Sequence, residues 1–125
     1  MANGAYCISG LTEEGRKATT LTVPLGYADY KVTAIGAGAF RGSAVKELIV
    51  TEDTNLRNFF NDSFIDCQVT DVLIYYDFTN EEDKLAPASY FYGVRIHIPS
   101  GSAYSTHYDW LDSSEGYEFV FDLVK

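Results

Sequence analysis

Apolar residues recur along the chain with a period of 24. Val32, Ile35, Phe40, Val45, Leu48 and Val50 are followed one period later, without a gap, by Leu56, Phe59, Phe64, Val69, Val72 and Ile74. A fixed period in the twenties is the mark of a solenoid, in which each repeat is one turn of a coil and buries its apolar edge only against its neighbours. Within each copy the two-residue spacing of Leu48 and Val50, and of Val72 and Ile74, predicts short strands. These send the four side chains into the coil and turn Glu47, Ile49, Asp71 and Leu73 outward. Stacked copies then form a parallel sheet. Upstream, Ala37 to Gly42 predicts a short helical turn that carries Phe40 inward and stops at Gly42, the residue best suited to left-handed backbone. Asp66 holds that place in the second copy and tolerates it better than most residues.

A degenerate third copy follows. Ile96 and Ile98 lie one further period beyond Val72 and Ile74, and Pro87 to Gly93 repeats the turn, with Pro at its start and Phe91-Tyr92-Gly93 at its end. The separation of Phe64 and Phe91 exceeds one period, so this copy has a longer loop before its turn and a shorter run from turn to strand. Leu21 and Val23 supply an earlier strand, which makes four inward rows: Leu21/Val23, Leu48/Val50, Val72/Ile74 and Ile96/Ile98. The ends fit capping units. Ala5 to Ser9 reads as a lead-in strand, followed by a polar turn at Thr12-Glu13-Glu14-Gly15. Ser102 is placed to cap a short helix whose Tyr104, Tyr108 and Trp110 cover the last coil. Tyr117 to Val124 alternates as a final strand with Phe119, Phe121 and Leu123 on one face. The expected organisation is one domain over 1–125: an N-terminal cap and degenerate first repeat (1–31), repeats at 32–55 and 56–79, a degenerate last repeat (80–99) and a C-terminal cap (100–125).

At Leu21-Thr22-Val23-Pro24, Tyr30-Lys31-Val32-Thr33-Ala34-Ile35-Gly36 and Ala39-Phe40-Arg41-Gly42 the sequence resembles the repeat of BspA-like leucine-rich-repeat proteins. Ile96-His97-Ile98-Pro99-Ser100-Gly101-Ser102-Ala103-Tyr104, with Tyr108 and Trp110, is similar to the segment that closes such arrays. The likeness covers roughly residues 20 to 110. The second copy departs from it, with Phe59-Phe60 where Ile-Gly is usual and Asp62-Ser63 before Phe64. The resemblance implies a leucine-rich-repeat solenoid: a right-handed coil with a short parallel β-sheet and short helical turns, capped at both ends. It also implies a secreted or wall-attached bacterial protein, extracellular or at the cell surface, whose arrays bind host or neighbouring-cell surfaces as modules of a longer chain. Met1 to Gly4 lacks the basic start and apolar centre of a secretory signal, which leaves either an intracellular chain or one cut from a longer precursor. The resemblance accounts for this by a segment cut from a longer precursor.

Charge narrows the partners. Eighteen acidic against nine basic side chains give a formal charge of −9, and the clustered Lys and Arg that nucleic acid or an anionic membrane would reward are missing. No run approaches the roughly 18 consecutive apolar residues of a membrane helix. Asn80-Glu81-Glu82-Asp83 lacks the spacing and glycine turn of a calcium loop and reads as solvated. Cys7 and Cys67 make at most one bridge, and their apolar flanks suit buried thiols.

Candidate chemistry falls on the outward side of the sheet. The register places Thr20, Glu47, Asp71 and Arg95 in one row and Thr22, Ile49, Leu73 and His97 in the next. Ile49 and Leu73 form an apolar pair rimmed by charge. With Tyr75 at the strand end, the candidate ligand-binding residues are Glu47, Ile49, Asp71, Leu73, Tyr75, Arg95 and His97; alternatively the apolar pair only completes cross-strand packing. Tyr75, Tyr76, Tyr90 and Tyr92 could form an aromatic platform for a sugar or peptide, although such spacings also suit core packing. His97 and His107 lie ten apart with no cluster at zinc-ligand spacing. Ser102, His107 and Asp109 share the letters of a catalytic triad without the strand and turn that expose a nucleophile. No cofactor, metal or catalytic set is therefore expected. The reading is a non-enzymatic module, monomeric as an isolated domain, recognising an extracellular protein or glycan. A purely structural spacer is the alternative, and an enzyme-associated domain the more remote one.

Overall fold

Alternating apolar and polar residues dominate the secondary structure. The computed structural model describes residues 5–8, 10, 13–27, 30–36, 38–59, 67–85, 94–107, 110 and 117–123. Among them are nine strands: β1 (Ala5–Ile8), β2 (Thr20–Thr22), β3 (Gly26–Tyr27), β4 (Tyr30–Ile35), β5 (Glu47–Val50), β6 (Asn58–Phe59), β7 (Asp71–Ile74), β8 (Val94–Pro99) and β9 (Tyr117–Leu123). They also include the helix α1 (Glu13–Lys17), 3-10 turns at Glu81–Asp83 and Ala103–Thr106, and a helical residue at Trp110. The architecture is a β-solenoid of about three stacked turns with few helices.

The larger sheet runs β2-β5-β7-β8-β9, parallel throughout. From β5 through β7 to β8 its register is the sequence repeat itself. Leu21, Leu48, Val72, Ile96 and Phe119 are successive partners across the five strands. Leu48, Val72 and Ile96 are fully buried, with Leu21 and Phe119 half-buried against the same core. The coil-to-coil ladder extends just upstream of the strands, where Lys46 N–H donates to Thr19 C=O (2.8 Å), Thr70 N–H to Lys46 C=O (2.9 Å) and Arg95 N–H to Thr70 C=O (2.7 Å). Each coil thus satisfies its backbone on the one before it. The four expected rows are joined by a fifth, because β9 pairs in parallel with β8 and extends the sheet.

A second, smaller sheet contributes to the same core. β4 pairs in parallel with β1 and β6, and antiparallel with β3. Ala34 and Ile35 face Asn58 and Phe59, again one period on. Val32, Ile35 and Phe59 meet Leu48, Val50, Val72 and Ile74 in one core. The expected lead-in strand is β1.

Two local expectations are corrected. The segment read as a polar turn at Thr12–Gly15 carries the short helix α1, with Glu13 and Glu14 in its first turn and Arg16 and Lys17 in its last, the order that the helix dipole favours. In the segment read as a helical turn at 37–42, the described residues from Gly38 on form tight turns: Ala39, Arg41 and Ser43 N–H donate to the carbonyls of Gly36, Gly38 and Phe40. Gly38 and Gly42 take left-handed backbone, with φ 65° and 72°, which stops a helix from propagating. Phe40 is buried as expected. A Cβ at Gly42 would also sit 2.9 Å from the Arg16 guanidinium, which is flexible enough to move aside. Gly42→Ala is therefore expected to cost about 1–2 kcal/mol, set by the backbone. Chemical denaturation measures this; an unchanged midpoint would mean that the turn tolerates another conformation. Phe64, Asp66, Phe91, Tyr108 and the 87–93 turn lie outside the described residues.

Past β8, Ser102 caps the 3-10 turn Ala103–Thr106, its hydroxyl accepting from Tyr104 N–H. Tyr104 and Trp110 are fully buried. They grip one residue of the preceding loop: Leu85 N–H donates to the Tyr104 hydroxyl (3.0 Å), and Trp110 Nε1–H donates to Leu85 C=O (2.7 Å). Phe78, Tyr104, Trp110 and Phe119 follow one another with ring centroids 4.9 to 6.4 Å apart. Phe121, at the edge, is about half exposed (54%).

Candidate functional site

The outward side of the larger sheet carries two continuous rows. One contains Thr20, Glu47, Asp71, Arg95 and Glu118; the other contains Thr22, Ile49, Leu73, His97 and Val120. Parallel in-register pairing holds equivalent side chains of neighbouring coils beside one another. Ile49, Leu73, His97 and Val120 are half-buried, as are Glu47 and Asp71, whereas Arg95 is exposed. Tyr75 is half-buried past the end of β7, where its N–H donates to Val50 C=O.

Asp71, Arg95 and His97 form one bonded cluster. Arg95 Nε lies 3.0 Å from Asp71 Oδ1 and its Nη2 3.2 Å from Oδ2, a two-pronged contact. Thr70 Oγ1 donates to Oδ2 at 2.7 Å, and His97 Nε2 lies 2.7 Å from Oδ1. On its other side His97 Nδ1 lies 2.9 and 3.0 Å from the two oxygens of Asp122. Partial burial works against the Asp71 charge, but the hydrogen bonds from His97, Thr70 and Arg95, with the charge of Arg95, outweigh it and hold the carboxyl below its ordinary value. Burial likewise opposes a charged His97, yet its hydrogen bonds to Asp71 and Asp122 and their two charges raise its proton affinity.

The sequence rows place Asp71, Arg95 and His97 side by side but leave out Thr70, Glu118, Val120 and Asp122. The alternation of 117–124 is the available signal: it sets Glu118, Val120 and Asp122 opposite Phe119, on the parity that faces outward once β9 joins the sheet. The cluster is electrostatically self-contained. Both oxygens of Asp71 and both ring nitrogens of His97 are engaged by neighbours, so the arrangement crosslinks strands and presents a half-apolar stripe beside a charged one.

Of the two readings of the tyrosines, Tyr76 follows core packing and not a platform. Tyr76 shares the inward parity of Val72 and Ile74 and is buried, its hydroxyl donating to Asp83 C=O at 2.7 Å and its ring lying 4.6 Å beneath the Arg57 guanidinium. Tyr75 has the opposite, outward parity, and Tyr90 and Tyr92 lie outside the described residues. His107 is buried edge-to-face on Phe78, centroids 5.3 Å apart. The Ser102 hydroxyl lies 3.5 Å from Asp77 in addition to capping Tyr104, and Asp109 lies outside the described residues. Cys67 is half-buried against the core. Among the described residues no group of three or more His, Cys, Asp or Glu is placed to hold a metal ion, and no helix is long and apolar enough to cross a membrane. The chain matches no protein-family model, no curated protein and no solved structure. Its architecture and its outward face are the guides to what it does.

Proposed function

We propose that the chain is a BspA-like leucine-rich-repeat module, extracellular or at a bacterial cell surface, that recognises a protein or glycan through the outward face of its larger sheet and performs no covalent chemistry. The observation that carries this reading is the alignment of Ile49, Leu73, His97 and Val120 across four adjacent strands, beside the charged row Glu47, Asp71, Arg95 and Glu118. A half-apolar stripe beside a charged row suits a recognition patch: Ile49, Leu73 and Val120 supply burial on contact, and the charges supply register. A sheet that continues from coil to coil holds these groups in place before the ligand arrives, which lowers the ordering cost of binding.

The test is equilibrium binding of the purified chain to a panel of extracellular-matrix proteins and glycans, with the Ile49→Ser/Leu73→Ser variant alongside. Saturable binding weakened at least about tenfold in the variant, with its circular dichroism unchanged, is the expected result; tenfold is the loss of about 1.4 kcal/mol. Undiminished binding by the variant would remove this face from the reading. Absence of binding to every ligand would favour the array as a spacer that displays other domains.

A further inference from the structure

One imidazole joins three strands at the far end of the larger sheet. His97 on β8 reaches Asp71 on β7 through Nε2 and Asp122 on β9 through Nδ1. A neutral imidazole has one N–H and one lone pair, so it can donate to only one of two carboxylates; the imidazolium donates to both. The His97 and Asp71 side chains are 15% and 17% exposed, so water does little to replace a lost contact there, whereas Asp122, at 54%, is open to solvent.

The backbone beside this link is irregular. The β8–β9 register shifts between His97 and Pro99, and Pro99, which pairs with Leu123, has no N–H to give. Side-chain bonding from His97 therefore falls where the ladder is interrupted, beside the last strand of the sheet order. The charged groups around the ring are Asp71 from β7, Asp122 and Glu118 from β9, and Arg95 from β8 itself, whose guanidinium is spent on Asp71 and whose register partner is Glu118. With His97 protonated, the bonded set Asp71, Arg95, His97 and Asp122 carries two charges of each sign. Without that proton, Asp122 loses its cation within the set.

We propose that His97 is a proton-operated latch: protonated, it ties β9 to the body of the solenoid through Asp71 and Asp122, and deprotonated, it releases the Asp122 end of β9 and loosens the outward face beside Val120. The direction follows from linkage. His97 binds its proton more tightly in the folded chain than the ordinary value, so its contribution is complete below the unfolded value and is lost as pH rises through the higher folded one. Asp71 is shifted the other way, so its contribution is present above the ordinary aspartate value and disappears only as pH falls through its lower folded value. The latch is closed between these limits and opens on the alkaline side. It operates whether or not the face binds a ligand.

Nuclear magnetic resonance on the intact chain tests it. Both ring nitrogens of His97 should carry protons near about pH 6, and the ring should titrate above the ordinary histidine value of roughly 6.5. Through that titration the β9 amides, corrected for the intrinsic pH dependence of exchange, should exchange roughly fivefold faster while β5 amides keep their protection. Fivefold is the modest effect left to a charge-assisted hydrogen bond once the exposure of Asp122 is allowed for. Asp122→Ala, which removes the acceptor, should exchange quickly in β9 at every pH and lose the pH dependence, and His97→Ala should behave alike. Titration at or below the ordinary value, β9 protection unchanged through the titration, or a wild-type pH profile in Asp122→Ala would each overturn the proposal.

Discussion

Trp110→Ala should lower the unfolding free energy by about 3–5 kcal/mol, the range for removing a fully buried large aromatic. Two losses combine. The indole is completely enclosed, in edge contact with Tyr104 and near Phe119, so the variant leaves a cavity between the last coil and β9. The second loss is polar: Leu85 C=O, which now accepts from the indole N–H at 2.7 Å, would be left buried without that donor. Domains of this size are stable by only about 5–15 kcal/mol, so one substitution removes a large share of the total. Trp110→Phe separates the two parts. It keeps most of the apolar contact and drops the hydrogen bond, and should cost about 1–2 kcal/mol. Urea denaturation followed by circular dichroism gives both numbers, and an alanine variant within about 1 kcal/mol of the parent would show that the cap does not depend on this ring.

The larger sheet is legible in the sequence because two independent regularities agree on it. Alternation fixes which residues of a strand point inward, and the repeat period fixes which residues stand beside one another. Leu48, Val72 and Ile96 satisfy both, and they are register partners with no exposure. The smaller sheet keeps the period where β4 meets β6 but lacks the alternation. β6 is two residues long, and β4 buries Ala34 and Ile35 in succession, so no alternating run marks it. β9 shows the limit of alternation taken alone. Its faces can be read, but a strand pattern does not name its neighbour, and the step from Ile96 to Phe119 falls one position short of the period. Read as a cap, β9 hides Asp122 from the candidate site, although the rows already set Asp71, Arg95 and His97 side by side. Tyr76 takes the core-packing alternative because its parity with Ile74 places it inward, although the neighbouring tyrosines also suggest a surface. The turn at Gly42 is legible as an end and not as a helix, because Gly38 also takes left-handed backbone and interrupts the hydrogen-bonding series.

Phe40→Ala carries the other large effect, about 3–4 kcal/mol, and bears on how the coils depend on one another. Phe40 is fully enclosed in the tight turns that link β4 in the smaller sheet to β5 in the larger one. Its carbonyl accepts from both the N–H and the hydroxyl of Ser43, so the ring and the backbone of one residue hold the turn to the core. Phe40→Leu keeps part of the volume and should cost only about 1–1.5 kcal/mol. The slope of the denaturation curve then reports coupling, because it scales with the surface exposed in the transition. In a solenoid a coil is stabilised mainly by its neighbours, and a weakened coil can either lower the whole array or melt by itself. Here α1 bonds to the turn segment through Ala44 N–H to Arg16 C=O, and β5 is laddered to β2 and β7, so the first coils share backbone bonds on both sides of the lesion. The expected curve for Phe40→Ala is therefore a single transition at a lower midpoint with the parental slope. A shallower or split transition would mean that the N-terminal coils unfold as a unit apart from β7, β8 and β9, and that the interface between coils is weaker than the continuous register implies.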